Sequence, residues 1–208
     1  MYDEYGNLYV PAGYGKIHFG RQELMHIGIA VAVLTFAFAM ALGGTVNLSL
    51  LVLGVAALAV LTGFLLHELG HKFMAQRYGA WAEFRIFPLG LMMALVFSLL
   101  GFVFAAPGAV YIQGRMTPKQ NGLISIAGPG VNIIISAIAL VASLMFPAGN
   151  LAGDILFVVA ELNAFMALFN LLPVPPLDGS KVFHWNKVIW VVSIAISAVL
   201  LAVTWGFI

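Results

Sequence analysis

Residues 48–79 read LSLLVLGVAALAVLTGFLLHELGHKFMAQRYG. The run from Leu48 to Leu66 is almost wholly apolar and close to the ~20 residues a helix needs to cross a bilayer. It passes without a break into His67-Glu68-Leu69-Gly70-His71. Helix is the default for such a run, because lipid offers backbone groups no other partner. Residues four apart share a helix face, so His67 and His71 stand one turn apart and can converge on one ion. Glu68 projects ~100° around the helix from His67, near enough to hold a metal-activated water without being a ligand. Zinc in such a setting acidifies water and a carboxylate takes the proton. On a soluble surface helix an H-E-x-x-H string carries little weight. Here it ends a transmembrane run, where ionisable side chains are costly and mark function.

The rest of the chain agrees that the bilayer is its solvent. Of 208 residues, 62% are hydrophobic and only 8% charged, whereas soluble domains carry about 25% charged residues. The length fits a single integral membrane domain over residues 1–208, with a catalytic core at about 48–182. The net charge of +1 says nothing about nucleic acid, but no basic run of the kind phosphate binding needs appears, so no nucleic-acid partner is expected. No cysteine is present, so disulfides and thiolate metal sites are excluded. The lead-in up to Glu23 is polar, aromatic and Gly-rich, reads as interfacial, and lacks the layout of a cleavable signal peptide.

Six stretches approach spanning length: Leu24 to Leu42, Leu48 to Leu66, Leu89 to Ala106, Ile124 to Phe146, Ile155 to Leu172, and Val188 to Ile208. If all but Leu89 to Ala106 span, the nine Lys and Arg residues fall on one side. The positive-inside rule makes that side cytoplasmic. The remaining stretch then enters and leaves on one side, interrupted by Pro88, Gly90 and Gly101 and flanked by β-prone Glu83–Phe87 and Ala109–Gln113. The expected fold is an all-α polytopic membrane protein of five to six transmembrane helices, with a small β-hairpin or re-entrant element before the third span. The chain is expected in the cell membrane, with its N-terminus and active-site opening cytoplasmic.

Catalytic zinc takes three protein ligands and leaves a fourth position open. Asp154 lies on the far side, and Glu161 is offset in depth from His67 by ~15–20 Å at a helical rise of 1.5 Å per residue. Asp3, Glu4 and His18 belong to the lead-in, and Glu23 and Glu83 read as interfacial. Asp178 follows Pro173-Val174-Pro175-Pro176-Leu177, and prolines so placed break a helix. A broken helix is tolerated at membrane depth where it lines a cavity, and it can turn a carboxylate toward a helix-borne metal. The alternative is a simple loop with Asp178 capping the next helix. His184 and His26 are weaker candidates, better read as interfacial or hydrogen-bonded.

Three segments in order now resemble the site-2 protease family of intramembrane zinc metalloproteases: the His67–His71 motif, Ala127-Gly128-Pro129-Gly130-Val131-Asn132, and Asn170 through Pro173 to Leu177-Asp178-Gly179. The resemblance covers about Leu48 to Val182. It implies one Zn2+ per chain, cleavage of a partner's transmembrane helix, Glu68 as general base and Asp178 as third ligand. By the same analogy Asn132 stabilises the oxyanion or steadies the substrate, against the plain reading that it knits helices together. The flanking strands offer an edge for an unwound substrate. Glu161 and Asn163 read as structural hydrogen-bonding residues rather than catalytic ones. The chain departs from common members in lacking a PDZ or CBS regulatory domain and in carrying Leu89 to Ala106. The alternative function is a non-proteolytic membrane metal-binding or transport protein, which has no need of Glu68 beside the metal.

Overall fold

A computed structural model describes residues 17–44, 48–103 and 106–206; most of the lead-in, with Asp3 and Glu4, lies outside them. Five helices are long and apolar enough to cross a membrane. They are α1 (Arg21–Gly43), the continuous run Leu50–Arg77, α5 (Pro118–Ser143), α6 (Leu151–Asn170) and α8 (Lys187–Thr204). The run Leu50–Arg77 comprises α2 (Leu50–Val60), a π-helical turn (Leu61–Leu65) and α3 (Leu66–Arg77). Side-chain caps begin several of these helices: Ser49, Thr117, Asn150 and Asn186 each accept a backbone N–H of the first turn.

The excursion after α3 takes the expected form. Strands β1 (Trp81–Ile86) and β2 (Gly108–Gln113) pair antiparallel, with Phe84 opposite Val110. Between them lies α4 (Pro88–Ser98), started by its proline. Its 11 residues rise only about 16 Å at 1.5 Å each, half of a ~30 Å hydrocarbon core. It packs against α1: Leu91 and Ala94 join Ala30, Leu34 and Ala37 in one cluster with Phe64 and Phe84. Gly90 is fixed by crowding, because a Cβ there would strike the Ala106 carbonyl.

The core around which these elements gather is α3, α5 and α6, with α8 outside α6 and α7 (Asp178–Trp185) against α5. Close helix approach depends on small residues, as is usual in membranes. A Cβ on Gly70 would sit 2.9 Å from the Ala127 carbonyl oxygen, so α3 can approach α5 there only as glycine. Polar groups fasten the same contacts: Ser136 on α5 donates to the Ala160 carbonyl of α6 at 2.8 Å.

One expectation is corrected. Glu23 is not interfacial but completely buried, as is Lys72. The Lys72 Nζ lies 2.8 Å from Glu23 Oε2 and 2.8 Å from the Ala82 carbonyl, and 4.5 Å from the centre of the Phe19 ring. Glu23 Oε1 accepts the Phe84 N–H at 3.0 Å. The start of α1, the metal-motif helix and β1 are thus tied at one point. Burying two charges is repaid only when both are fully bonded, and here every strong direction is filled.

Removing one partner leaves the other charge buried and alone. We expect Lys72→Met to destabilise the chain by ~3–5 kcal/mol, and Glu23→Gln combined with Lys72→Met to recover much of that loss. Thermal unfolding in detergent checks both; equal loss in the single and double variants would refute the assignment.

Candidate metal centre

The π-helical turn stands immediately before the H-E-L-G-H segment. Its wider i→i+5 bonding inserts an extra residue and rotates everything that follows. His67 and His71 then occupy one face of α3, with ring planes at 81° and only 3% and 8% of each residue exposed. The third group arrives from α7. After α6 ends at Asn170, the proline-rich segment holds Leu177 extended (φ −62°, ψ 154°), and α7 begins at Asp178 itself. A Cβ on Gly179 would collide with the Leu171 carbonyl, so this return is tight. Asp178 is therefore both a first-turn helix residue and a neighbour of the two rings.

Three donor atoms meet. The Nε2 atoms of His67 and His71 lie 3.0 Å apart, and Asp178 Oδ2 lies 3.5 Å from the first and 3.0 Å from the second. Among the described residues this is the one group of three or more His, Cys, Asp or Glu side chains placed to hold an ion. Ligands at 2.0–2.1 Å around a tetrahedral zinc stand about 3.3 Å from one another, and the three separations scatter about that value.

The hydrogen bonds behind the rings make the case chemical as well as geometric. His67 Nδ1 is 2.5 Å from Asn132 Oδ1, and His71 Nδ1 is 2.8 Å from the Ile124 carbonyl oxygen. Both acceptors place a proton on Nδ1, so each ring, when neutral, offers the lone pair of its Nε2. Two lone pairs and a carboxylate oxygen then face one small volume, an arrangement only a cation makes favourable. Burial alone would raise the Asp178 carboxyl, but charge and hydrogen bonding from His71 and His67 hold it well below the usual carboxylate range. A cation at that point, whether ring proton or metal, keeps it ionised.

The space beside the donors is kept open by a glycine. Gly128 on α5 faces the donors, and a Cβ built there would fall 2.8 Å from His67 Nε2 and closer still to His71 Nε2. The volume a methyl would fill is the volume an ion shared by the two nitrogens would take. Gly128 was quoted in the sequence only within its motif, with no role at the metal group, and the Ile124 carbonyl was not singled out. The first had a signal, since a Gly-Pro pair inside a spanning helix costs stability without a reason; a backbone carbonyl has none.

The other expected residues fall as follows. Glu68 stands beside the metal group, and its Oε2 accepts the Val110 N–H of β2 at 3.1 Å. Asn132 is completely buried behind His67, with both amide hydrogens committed, to the Gly63 carbonyl at 3.0 Å and to Asn163 Oδ1 at 2.9 Å. That leaves it no N–H for an oxyanion in this arrangement, and it joins three helices instead. Glu161 accepts from the Trp205 indole at 2.8 Å, Glu83 pairs with Arg85, and His184 Nδ1 meets the Ser180 carbonyl at 2.6 Å; none of these joins the metal group. His26 Nδ1 is buried without a hydrogen-bond partner and is likewise outside it.

We expect Gly128→Ala to abolish stoichiometric zinc binding while the chain keeps its helical content. Metal analysis alongside circular dichroism would test this, and a zinc-loaded Gly128→Ala protein would refute the assignment of that volume.

Comparison with known proteins supplies the family. A protein of Methanocaldococcus jannaschii named "Putative zinc metalloprotease MJ0611" is 39% identical over 176 residues, covering 84% of this chain and 90% of that protein. From the same organism, zinc metalloprotease MJ0392 is 32% identical over 120 residues, covering 57% of this chain and 30% of that protein. "Putative zinc metalloprotease YwhC" of Bacillus subtilis is 31% identical over 148 residues, covering 61% of this chain and 66% of that protein. No protein-family model and no solved structure matches the chain. With a relative of that identity along most of both chains, and a zinc-shaped donor set in a bundle of spanning helices, the chain belongs to the site-2 protease family of zinc metalloproteases.

Proposed function

We propose that this membrane zinc metalloprotease hydrolyses peptide bonds within transmembrane segments of partner proteins, with zinc on His67, His71 and Asp178 and Glu68 as general base. The observation that carries the reading is where the donors converge: on α3, the end of a membrane-crossing helix, closed by a carboxylate that a proline-broken segment returns to it. Zinc, when bound, supplies Lewis acidity toward the scissile carbonyl and toward water. Everything else is the work of side chains. His67 and His71 are held in one tautomer by Asn132 and Ile124. Glu68 takes the proton of the attacking water and returns it to the departing amine. Asn132 acts as a positioning residue rather than as an oxyanion donor.

Water access follows from orientation. All basic residues lie at one end of the bundle under the five-span topology, which makes that end cytoplasmic. His67 precedes Arg77 by ten residues, so the site lies ~15 Å along the helix from that boundary. An open cleft of about 270 Å³, lined by Asn121, Ser180, Lys181 and His184 among others, lies between the start of α5 and α7. Lys181, on its wall, reaches Asp178 Oδ1 at 3.4 Å. This cleft is the candidate entry for water from the basic end of the bundle, with Lys181 linking its wall to Asp178.

The substrate must present an extended backbone, because helical carbonyls are shielded and already bonded. Strand β2 pairs with β1 on one edge only, and its other edge meets Glu68 through Val110. A substrate strand added along that edge passes the base. A glutamate-ligated metalloprotease of the CAAX-processing type fits less well, since Glu83 and Glu161 are bonded elsewhere.

Two outcomes follow. Glu68→Ala should retain zinc and lose ~10²–10⁴-fold in cleavage of a transmembrane peptide, whereas His67→Ala loses both; full activity in Glu68→Ala would end the mechanism. Ile112→Pro should slow cleavage and leave zinc content unchanged, and unaltered processing would remove the strand-addition step.

A further inference from the structure

The buried amides behind His67 form a directed chain that runs through three helices. On α6, Asn163 is completely buried, and its Nδ2 donates to the Val159 carbonyl at 2.9 Å and to Thr62 Oγ1 at 3.1 Å. Thr62 Oγ1 in turn donates to the Leu58 carbonyl at 2.8 Å, so it can only accept from Asn163. Both contacts fix which end of the Asn163 amide is nitrogen. Its Oδ1 must then face α5, where it accepts from Asn132 Nδ2 at 2.9 Å. The Asn132 amide is oriented in its turn, with Oδ1 toward His67 Nδ1. Turning Asn132 would set its oxygen against the Gly63 carbonyl and Asn163 Oδ1, and turning Asn163 would set its oxygen against the Val159 carbonyl and its nitrogen against Asn132 Nδ2.

We propose that Asn163 is a positioning residue for the metal, acting through Asn132 to hold His67 as the tautomer whose Nε2 is free to bind zinc. The inference rests on the zinc reading given above and goes beyond it, because Asn163 touches neither ligand nor substrate. The Val159 and Leu58 carbonyls are the fixed references at the far end of the chain. The π-helical turn contributes at its middle, since the Gly63 carbonyl within it takes the second Asn132 hydrogen.

A bond that merely glues helices would be replaceable by another. Ser136 to the Ala160 carbonyl joins α5 and α6 as Asn132 to Asn163 does, is equally buried, and among the described residues has no hydrogen bond to a residue that bonds His67, His71 or Asp178. Ser136→Ala is therefore the structural control. The test uses the full chain in detergent, reading zinc affinity by competition with a chelator and the ligand-field absorption of cobalt(II) bound in place of zinc. Asn163→Leu should lower zinc affinity about tenfold, the scale seen when a partner behind a metal-bound histidine is lost, and should shift the cobalt bands. Asn163→Asp, whose carboxyl in its neutral form keeps one acceptor and one donor, should restore most of the affinity. Ser136→Ala should leave affinity and spectrum as in the parent protein. Asn163→Leu matching the parent in both readouts, or Ser136→Ala and Asn163→Leu losing affinity alike, overturns the proposal. A parent protein that binds no zinc at all overturns the metal reading itself, which is a different result.

Discussion

Two imidazole nitrogens and a carboxylate oxygen crowd one small volume at the inner end of a membrane-crossing helix. In water such a cluster would relax by hydration or protonation. Among packed helices it has neither recourse at low cost. The surrounding structure is arranged so that the three atoms cannot turn away from one another: Asn132 and the Ile124 carbonyl hold the rings from behind, and the tight return at Gly179 holds the carboxylate. The donors form a site only because rotation has been denied to them. A cation shared by the three atoms would offset that crowding.

The same logic explains why so much polarity is buried in so apolar a chain. Glu23 and Lys72 are completely enclosed, and the pair ties α1, α3 and β1 where the metal helix reaches the membrane edge. An apolar pair would fill that space at less desolvation cost. What the charged pair adds is direction, since each of its bonds has a single geometry. The amides of Asn132 and Asn163 do likewise deeper in the bundle. In a bilayer, where hydrophobic contact barely distinguishes one helix partner from another, such bonds select the registration.

Much of this was legible in the residues. Spanning helices, the two short strands and the two-histidine motif follow from hydropathy and spacing, because lipid restricts the backbone to few options. Asp178 could be reached by eliminating other acids on depth. Glu23 was misjudged, because a glutamate near the start of a first helix looks like any headgroup-facing acid until a lysine one position past His71 is brought over it. For Asn132 the residues left open whether it serves the reaction or knits helices together, and its bonds to His67, Gly63 and Asn163 are long-range contacts that spacing alone does not resolve. Gly128 was quoted only as part of a motif, without a role, because what it contributes is an absence of atoms.

The paired strands are gripped at one rung. Phe84 and Val110 lie opposite each other, and their outward N–H groups go to two different carboxylates, Glu23 on one side and Glu68 on the other. The first carboxylate is anchored by an ammonium group; the second has one oxygen tied and one at liberty. A glutamate tethered by a single oxygen keeps its plane but not its freedom. The position of the ribbon and the orientation of Glu68 are therefore linked through that one hydrogen bond.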